Sequence, residues 1–353
     1  EGKGPAGDLT NDKLTTKFRV YKDNFDRTKN LVEFYECQAS KYTYFADQTL
    51  TKIKEEREDD DLAIASIHGE STQINEDGIT TPLSDVFAIP EATKLANYST
   101  PSDASAAFNR YFYENDQINS EKALTVNMAA DKAEDQGTVA NILNAVIKES
   151  VEYYPSFTTV GIDSKLDDAT GKLTIKVTGK LINQYEKLIG DDARLTIYLT
   201  EDKVKGKQNT GGAIMKPNFV HNHVLRKIVT NTLGDALQTN GNSYENDYEI
   251  ELDDAWKSQN MHIIAFVSRP MKEQEKDGKT ALASAMNDLW VDNTNMVVVG
   301  DSDLTGISNN VINRNDVKEI GRYTIDGQKL NAPTKGINLV KLSNGQIIKV
   351  IVK

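Results

Sequence analysis

Few residues of this chain can carry sulfur or imidazole chemistry. The single cysteine, Cys37, lies in Cys37-Gln38-Ala39-Ser40, and one thiol can form neither an intrachain disulfide nor a dithiol redox pair. Of the four histidines, His221 and His223 stand two apart. That spacing puts both on one face of a strand and offers two ligands of a zinc site. No third ligand stands at a characteristic spacing, so the two read as surface or hydrogen-bonded core histidines and no metal centre is expected. Asp301-Ser302-Asp303-Leu304-Thr305-Gly306 has the alternating oxygens and glycine of a calcium loop. It lacks the acidic residue farther on that closes such loops, so it reads as a solvated turn. Trp256, flanked by Asp254 and Lys257, fits either an exposed binding anchor or a cap on an apolar core. No G-x-S-x-G, P-loop or HExxH pattern occurs, and the carboxylates are scattered among turns, so neither catalysis nor a cofactor is expected.

The elements that must position these residues are bounded by composition. At 353 residues the chain exceeds what one core usually organises. A hydrophobic content of 38% and a mean hydropathy of −0.52 describe a globular protein, and no run approaches the apolar length of a membrane-crossing helix. The formal charge of −12 disfavours nucleic acid and anionic membrane surfaces as partners. The opening Glu1-Gly2-Lys3-Gly4-Pro5 has no charged or apolar leader region. Its Gly and Pro content reads as a flexible tether, suited to a mature lipoprotein anchored just before Glu1.

Leu31-Val32-Glu33-Phe34-Tyr35 predicts a strand, Ala46, Leu50 and Ile53 one face of a helix, and Leu62 to Ile67 a parallel strand buried on both faces. Together they make a right-handed βαβ unit. A polar loop follows from His68 to Thr81, then a helix opening at Pro90, a strand at Ala106-Ala107-Phe108 and a helix over 138–151. From Pro155 the texture changes to seven short strands: 157–162, 173–181, 195–199, 224–229, 248–252, 263–267 and 296–299. Seven strands with irregular connections favour an antiparallel sandwich of the immunoglobulin type. From Asp316 the chain holds seven Lys or Arg against three Asp or Glu. Asp326-Gly327 and Asn344-Gly345 predict hairpins there.

Three stretches resemble the twenty-eight-kilodalton outer-membrane protein family of Bacteroidetes: Leu31 through His68, Asn218 through Lys227, and Trp256 through Val267. The tail resembles the C-terminal β-module of exported Bacteroidetes proteins, through Arg322 to Lys329 and Lys335 to Asn338. The resemblance implies an α/β plus all-β chain. Residues 1–20 would be a tether, 21–152 a degenerate thioredoxin-like domain, 153–305 an immunoglobulin-like antiparallel β-sandwich, and 306–353 a C-terminal β-module.

Thioredoxin chemistry needs C-x-x-C after the first strand. Alignment with the family places Ser40-Lys41-Tyr42-Thr43 there. Oxidoreductase activity should therefore be absent. The cis-proline of such folds falls on Pro101 or on Pro90, and an ordinary trans proline accounts for either. The implied protein is a non-catalytic, envelope-localised surface module. It would bind a protein, peptide or glycan through Ser40, Lys41, Tyr42, Thr43 and Pro101, with no nucleic-acid partner and membrane contact only through an N-terminal lipid. Two alternatives stand beside it: a single-thiol relay through Cys37, viable if that thiol is exposed at the helix N-terminus, and attachment through the basic tail.

Overall fold

The computed structural model describes residues 24–57, 61–74, 80–99, 104–110, 113–114, 122–123, 126–128, 156–183, 193–211, 215–269, 273–276, 279–282, 291–304, 319–324, 328–330, 332–342 and 347–352, with single positions between 137 and 147 and at 185. The tether and Pro101 lie outside them. The chain divides into two compact units, Glu1–Ser308 and Asn309–Lys353.

The larger unit is mostly β-sheet, organised around β1 (Asn30–Glu36) and β2 (Leu62–His68), both buried along their whole length. They pair in parallel, and α1 (Lys41–Glu56) connects them. Ser40 caps α1 by accepting from the Tyr42 N–H, 3.4 Å. The predicted stripe Ala46, Leu50 and Ile53 then packs on Val32, Phe34, Leu62 and Ile64. Pro90 opens α2 (Pro90–Ser99), and β3 (Ser105–Phe108) and β4 (Val126–Asn127) extend the sheet past β1. Within the expected polar loop, Ser71–Ile74 and Thr80–Leu83 form a small hairpin.

The back half supplies β5 (Gly161–Asp167), β6 (Lys172–Lys180), β7 (Arg194–Glu201), β8 (Val204–Gln208), β9 (Lys216–His221), β10 (Val224–Ile228), β11 (Ser243–Glu251), β12 (Met261–Ser268), β13 (Val291–Val298) and β14 (Ser302–Asp303). All seven expected strands are present with shifted ends. The start at Phe157 moves to Gly161: Thr158 makes only an isolated bridge with Leu181, and the Asp292 carboxylate accepts from the backbone N–H groups of residues 157 and 158. The β8–β9 hairpin was not expected. Its segment Val204-Lys205-Gly206-Lys207-Gln208 carries one apolar residue, too weak a pattern to mark a strand.

The expected division at residue 152 does not separate two sheets. A nine-stranded sheet runs β13-β12-β7-β10-β2-β1-β3-β4, with Asp235–Ala236 beside β7. The parallel edge of β2 left open by β1 is covered by β10, which avoids an exposed strand edge. That seam is narrow: Val224 pairs with Ser66, and the Ser66 N–H donates to the His223 carbonyl, 2.8 Å.

A second sheet, Thr239–Asn240, β11, β6, β5 and β14, faces the back half of the first. Alternation along β6 sends Leu173, Ile175 and Val177 inward against Leu195, Ile197 and Ile263. Each such burial contributes roughly 1.5–3 kcal/mol. Neighbours in β7 and β12 alternate between this core and a second cluster on the opposite face. There Tyr198, Ile264 and Phe266 join Leu31, Tyr35 and Ala65 of the front half. One apolar cluster therefore spans both halves.

Buried charge reinforces the seam. Arg110, 1% exposed, donates to both oxygens of Glu33 (2.9 and 2.8 Å) and to the Tyr198 hydroxyl (3.0 Å), which donates to Glu33 Oε1 at 2.6 Å. Its guanidinium lies 4.9 Å from the Phe266 ring centre. The preceding Asn109 accepts from the Leu31 N–H through its side chain and from the Val291 N–H through its carbonyl. Asn109 and Arg110 reach these positions with φ of 45° and 53°.

The C-terminal unit is a four-stranded antiparallel sheet. Its order is Lys329–Leu330, Glu319–Thr324, Gly336–Leu342 and Ile347–Val352. The pairings agree with the predicted hairpins, whose turn residues lie outside the described set. Buried Asn338 organises it, donating to the Thr334 carbonyl and accepting from Arg322.

Removing Glu33 leaves a buried guanidinium without its counter-charge, which costs about 3–5 kcal/mol. Glu33→Ala should therefore lose that much in denaturant unfolding, and a Glu33→Met/Arg110→Met double variant distinctly less. Equal losses would show that the ion pair does not carry the seam.

Candidate functional site

Register creates the site. Parallel pairing sets Glu36 and His68, the last residues of β1 and β2, directly opposite each other. The His68 ring is fully buried between two carboxylates: Nε2 lies 3.1 Å from Glu36 Oε1, and Nδ1 donates to Asp85 Oδ2 at 2.9 Å. Asp85 is itself held, accepting from the backbone N–H of Gln38 (2.7 Å) and of Phe87 (2.8 Å). From the back half, β9 ends at His221. Its ring packs edge-on to His68, Phe87 and Phe219 with centroids 5.4, 5.1 and 4.8 Å away. One ligand atom each from Glu36, His68 and His221 lies within 4.8 Å of the other two.

Electrostatics follow from this packing. Burial opposes charge on His68, but Glu36 and Asp85 outweigh it and push its pKa up to about 10. Burial holds His221 below the usual imidazole range. On α1, burial and then the Glu36 charge hold the Asp47 carboxyl well above the carboxylate range. The cluster thus contains a charged imidazole beside a neutral one.

Of Ser40-Lys41-Tyr42-Thr43, the first residue caps α1 and the other three form its first turn, and the segment is covered by the back half. Cys37 is fully buried. Thr43 Oγ1 donates to the Cys37 and Ser40 carbonyls (3.1 and 3.0 Å), and Ser40 and Thr43 are both buried. The β8–β9 hairpin pins what remains. Gln208 Nε2 donates to the Ser40 carbonyl (3.1 Å) and to Thr43 Oγ1 (3.0 Å), and Asn209 Nδ2 to the Ala39 carbonyl (2.9 Å). Gly206 permits this approach, since a Cβ there would meet Gln38 Nε2 at 2.6 Å and Phe87 Cζ at 2.7 Å. Lys41 and Tyr42 stay exposed, with the ammonium 4.7 Å from the ring centre. Of the five binding residues read from sequence, Lys41 and Tyr42 face solvent, Ser40 and Thr43 serve the loop's own bonding, and Pro101 is outside the described residues. No cis peptide occurs among those residues, and Pro90 begins a helix.

His221 and His223 do not share a strand face. His223 has φ 59°, which turns the chain from β9 into β10, and its Nδ1 sits 3.1 Å from Asp202 Oδ1. The third partner of His221 comes from residues more than 150 positions away, which no local spacing can signal. A weak signal existed in two seven-residue strands of one βαβ unit, one ending in Glu36 and the other in His68. The Asp301 turn is structural: its carbonyl accepts from Ser164, while the Asp303 carboxylate accepts from Asn295. Trp256 packs part-buried against the core between the two sheets.

The His68 charge ties stability to pH. Its folded pKa lies above the unfolded value of about 6.5, so the contribution is complete below that pH and is lost as pH rises through about 10. The difference in unfolding free energy between the wild type and His68→Gln, followed from pH 6 to 11, should shrink over that window; a flat difference would contradict the assignment.

Comparison with known proteins adds the family. Residues 149–279 match the family model of outer membrane protein Omp28. The match takes in two of the three resembling stretches, the β8–β9 hairpin and His221, and leaves Leu31 through His68 outside. A solved structure, HBP35 of Porphyromonas gingivalis, is similar with a TM-score of 0.57 at 16% identity, covering 94% of this chain and 100% of that one. At that identity the likeness speaks for the fold alone. No curated protein matches the chain. Residues 149–279 thus resemble the Omp28 outer-membrane protein family over less than half of the chain, and that match supports a place in the cell envelope at the outer membrane.

Proposed function

We propose that the protein is a non-catalytic module of the cell surface that binds its partner over the closed motif loop, on a redox-dead thioredoxin-like front half and an immunoglobulin-like back half. The observation that carries this is the pinning of the loop by Gln208 and Asn209 above a buried Cys37. A fully buried thiol is not accessible enough to attack a disulfide, which weighs against the single-thiol relay. The β1-α1-β2 unit with antiparallel β3 supports the thioredoxin-like reading, and the two facing sheets support the sandwich.

The surface left on offer is chemically distinct. Between Lys203 and His221 there are four lysines and no acidic residue, in a chain of net charge −12. Lys205, Lys207 and Lys216 are exposed on the hairpin, Lys41 and Tyr42 in the first turn of α1, and Val86 in the turn bonded to Gln38. Such a basic surface with apolar points suits an acidic glycan or acidic peptide. The second reading, attachment through the tail, draws on its being a separate compact unit of opposite charge.

Glycan and peptide arrays probed with the full chain should yield acidic ligands. Their binding should weaken with salt and fall at least tenfold in Lys205→Glu/Lys207→Glu, while an insulin-reduction assay stays blank. Blank arrays together with measurable thiol exchange would overturn the proposal.

A further inference from the structure

The structure assigns Glu36, His68 and His221 as a binding site for one zinc-class divalent cation, formed jointly by the front strands and the Omp28 segment. The inference is independent of the partner proposed above, since the cluster lies inside the molecule.

Donor chemistry selects the ion. Two imidazoles and one carboxylate form the ligand set of open zinc sites, leaving a fourth position free, and nitrogen donors disfavour calcium and magnesium. The three ligand atoms already converge to within 4.8 Å of one another with all three residues buried. Orientation is fixed from outside the cluster. Asp85 takes the Nδ1–H of His68, which leaves Nε2, facing Glu36 at 3.1 Å, as the nitrogen a cation would take on displacing its proton, and the backbone N–H groups of Gln38 and Phe87 immobilise Asp85. A carboxylate behind a ligating histidine is the usual arrangement at metal centres.

A second observation points the same way. His221 is 1% exposed, yet its Nε2 has no hydrogen-bond partner among the described residues, while the Lys207 backbone engages the ring. Buried polar nitrogens are rarely left unsatisfied, and a bound cation supplies the missing partner. Charge agrees as well, because Glu36 and Asp85, both less than 10% exposed, flank His68.

The rival is a purely structural cluster in which a charged His68 bridges Glu36 and Asp85 and no metal enters. Two measurements separate them. The full chain, stripped with chelator, is titrated with Zn²⁺ alone and with Co²⁺ as the spectroscopic probe. One equivalent should bind, with a visible d–d spectrum for cobalt and a melting temperature that rises until the first equivalent is taken up. His221→Ala should abolish the spectrum, Asp85→Asn should weaken binding about 10–100-fold, and His223→Ala should leave it unchanged. Zinc X-ray absorption on the wild-type protein keeps the test decisive if a variant fails to fold. Two imidazole nitrogens at about 2.0–2.1 Å are expected. No binding, a first shell without two imidazoles, or equal losses from His221→Ala and His223→Ala would overturn the assignment.

Discussion

A buried guanidinium holds the two halves of the larger unit together. Arg110 sits between Glu33 of the front strands and Tyr198 and Phe266 of the back strands, at a seam where β2 and β10 pair at one position and scattered backbone bonds such as Val291 to Asn109 join the halves elsewhere. Such isolated pairings resist little shear by themselves. Fixing a buried ion pair in bidentate geometry sets one register, because displacement by a residue would strand a desolvated charge. The apolar cluster around Leu31, Tyr198 and Phe266 supplies the bulk of the attraction, while the ion pair specifies how the halves meet.

That fixed meeting determines what the C-terminal ends of β1 and β2 encounter. With β10 beside β2, the preceding β8–β9 hairpin falls across the motif loop, and Gly206 lets it come close enough for Gln208 and Asn209 to bond the loop backbone. His221 then stands beside His68, and Val220 on the alternate face remains exposed. Imidazoles, carboxylates and amides from both halves meet at this end of β1 and β2.

Much of the fold was legible because its signals are local. Leu62 to Ile67 announced a doubly buried strand, Pro90 a helix start, and Leu173, Ile175 and Val177 an inward face. The continuous sheet was hidden: pairing of Val224 with Ser66 is a long-range event that leaves no periodic trace, and the change of texture near residue 152 marks no boundary between sheets, since strands from both sides of it join the nine-stranded one. The β8–β9 hairpin was missed because backbone hydrogen bonds and lysines, rather than an apolar stripe, define it. Of the site, Cys37, Ser40 and Thr43 were placed at the right loop, but their burial depends on Gln208, 165 positions beyond Thr43. Glu36 and His68 were readable only once register was known.

The account rests on the back half sealing the front half's thiol within one cooperative body. Pulsed labelling of Cys37 across a denaturant series, compared with the fluorescence of Trp256 in a Trp290→Phe background, tests this directly. Coincident midpoints, with no labelling in the native baseline, are the predicted result. Labelling of Cys37 while Trp256 still reports native packing would mean that the loop opens on its own and that the sealed scaffold is wrong.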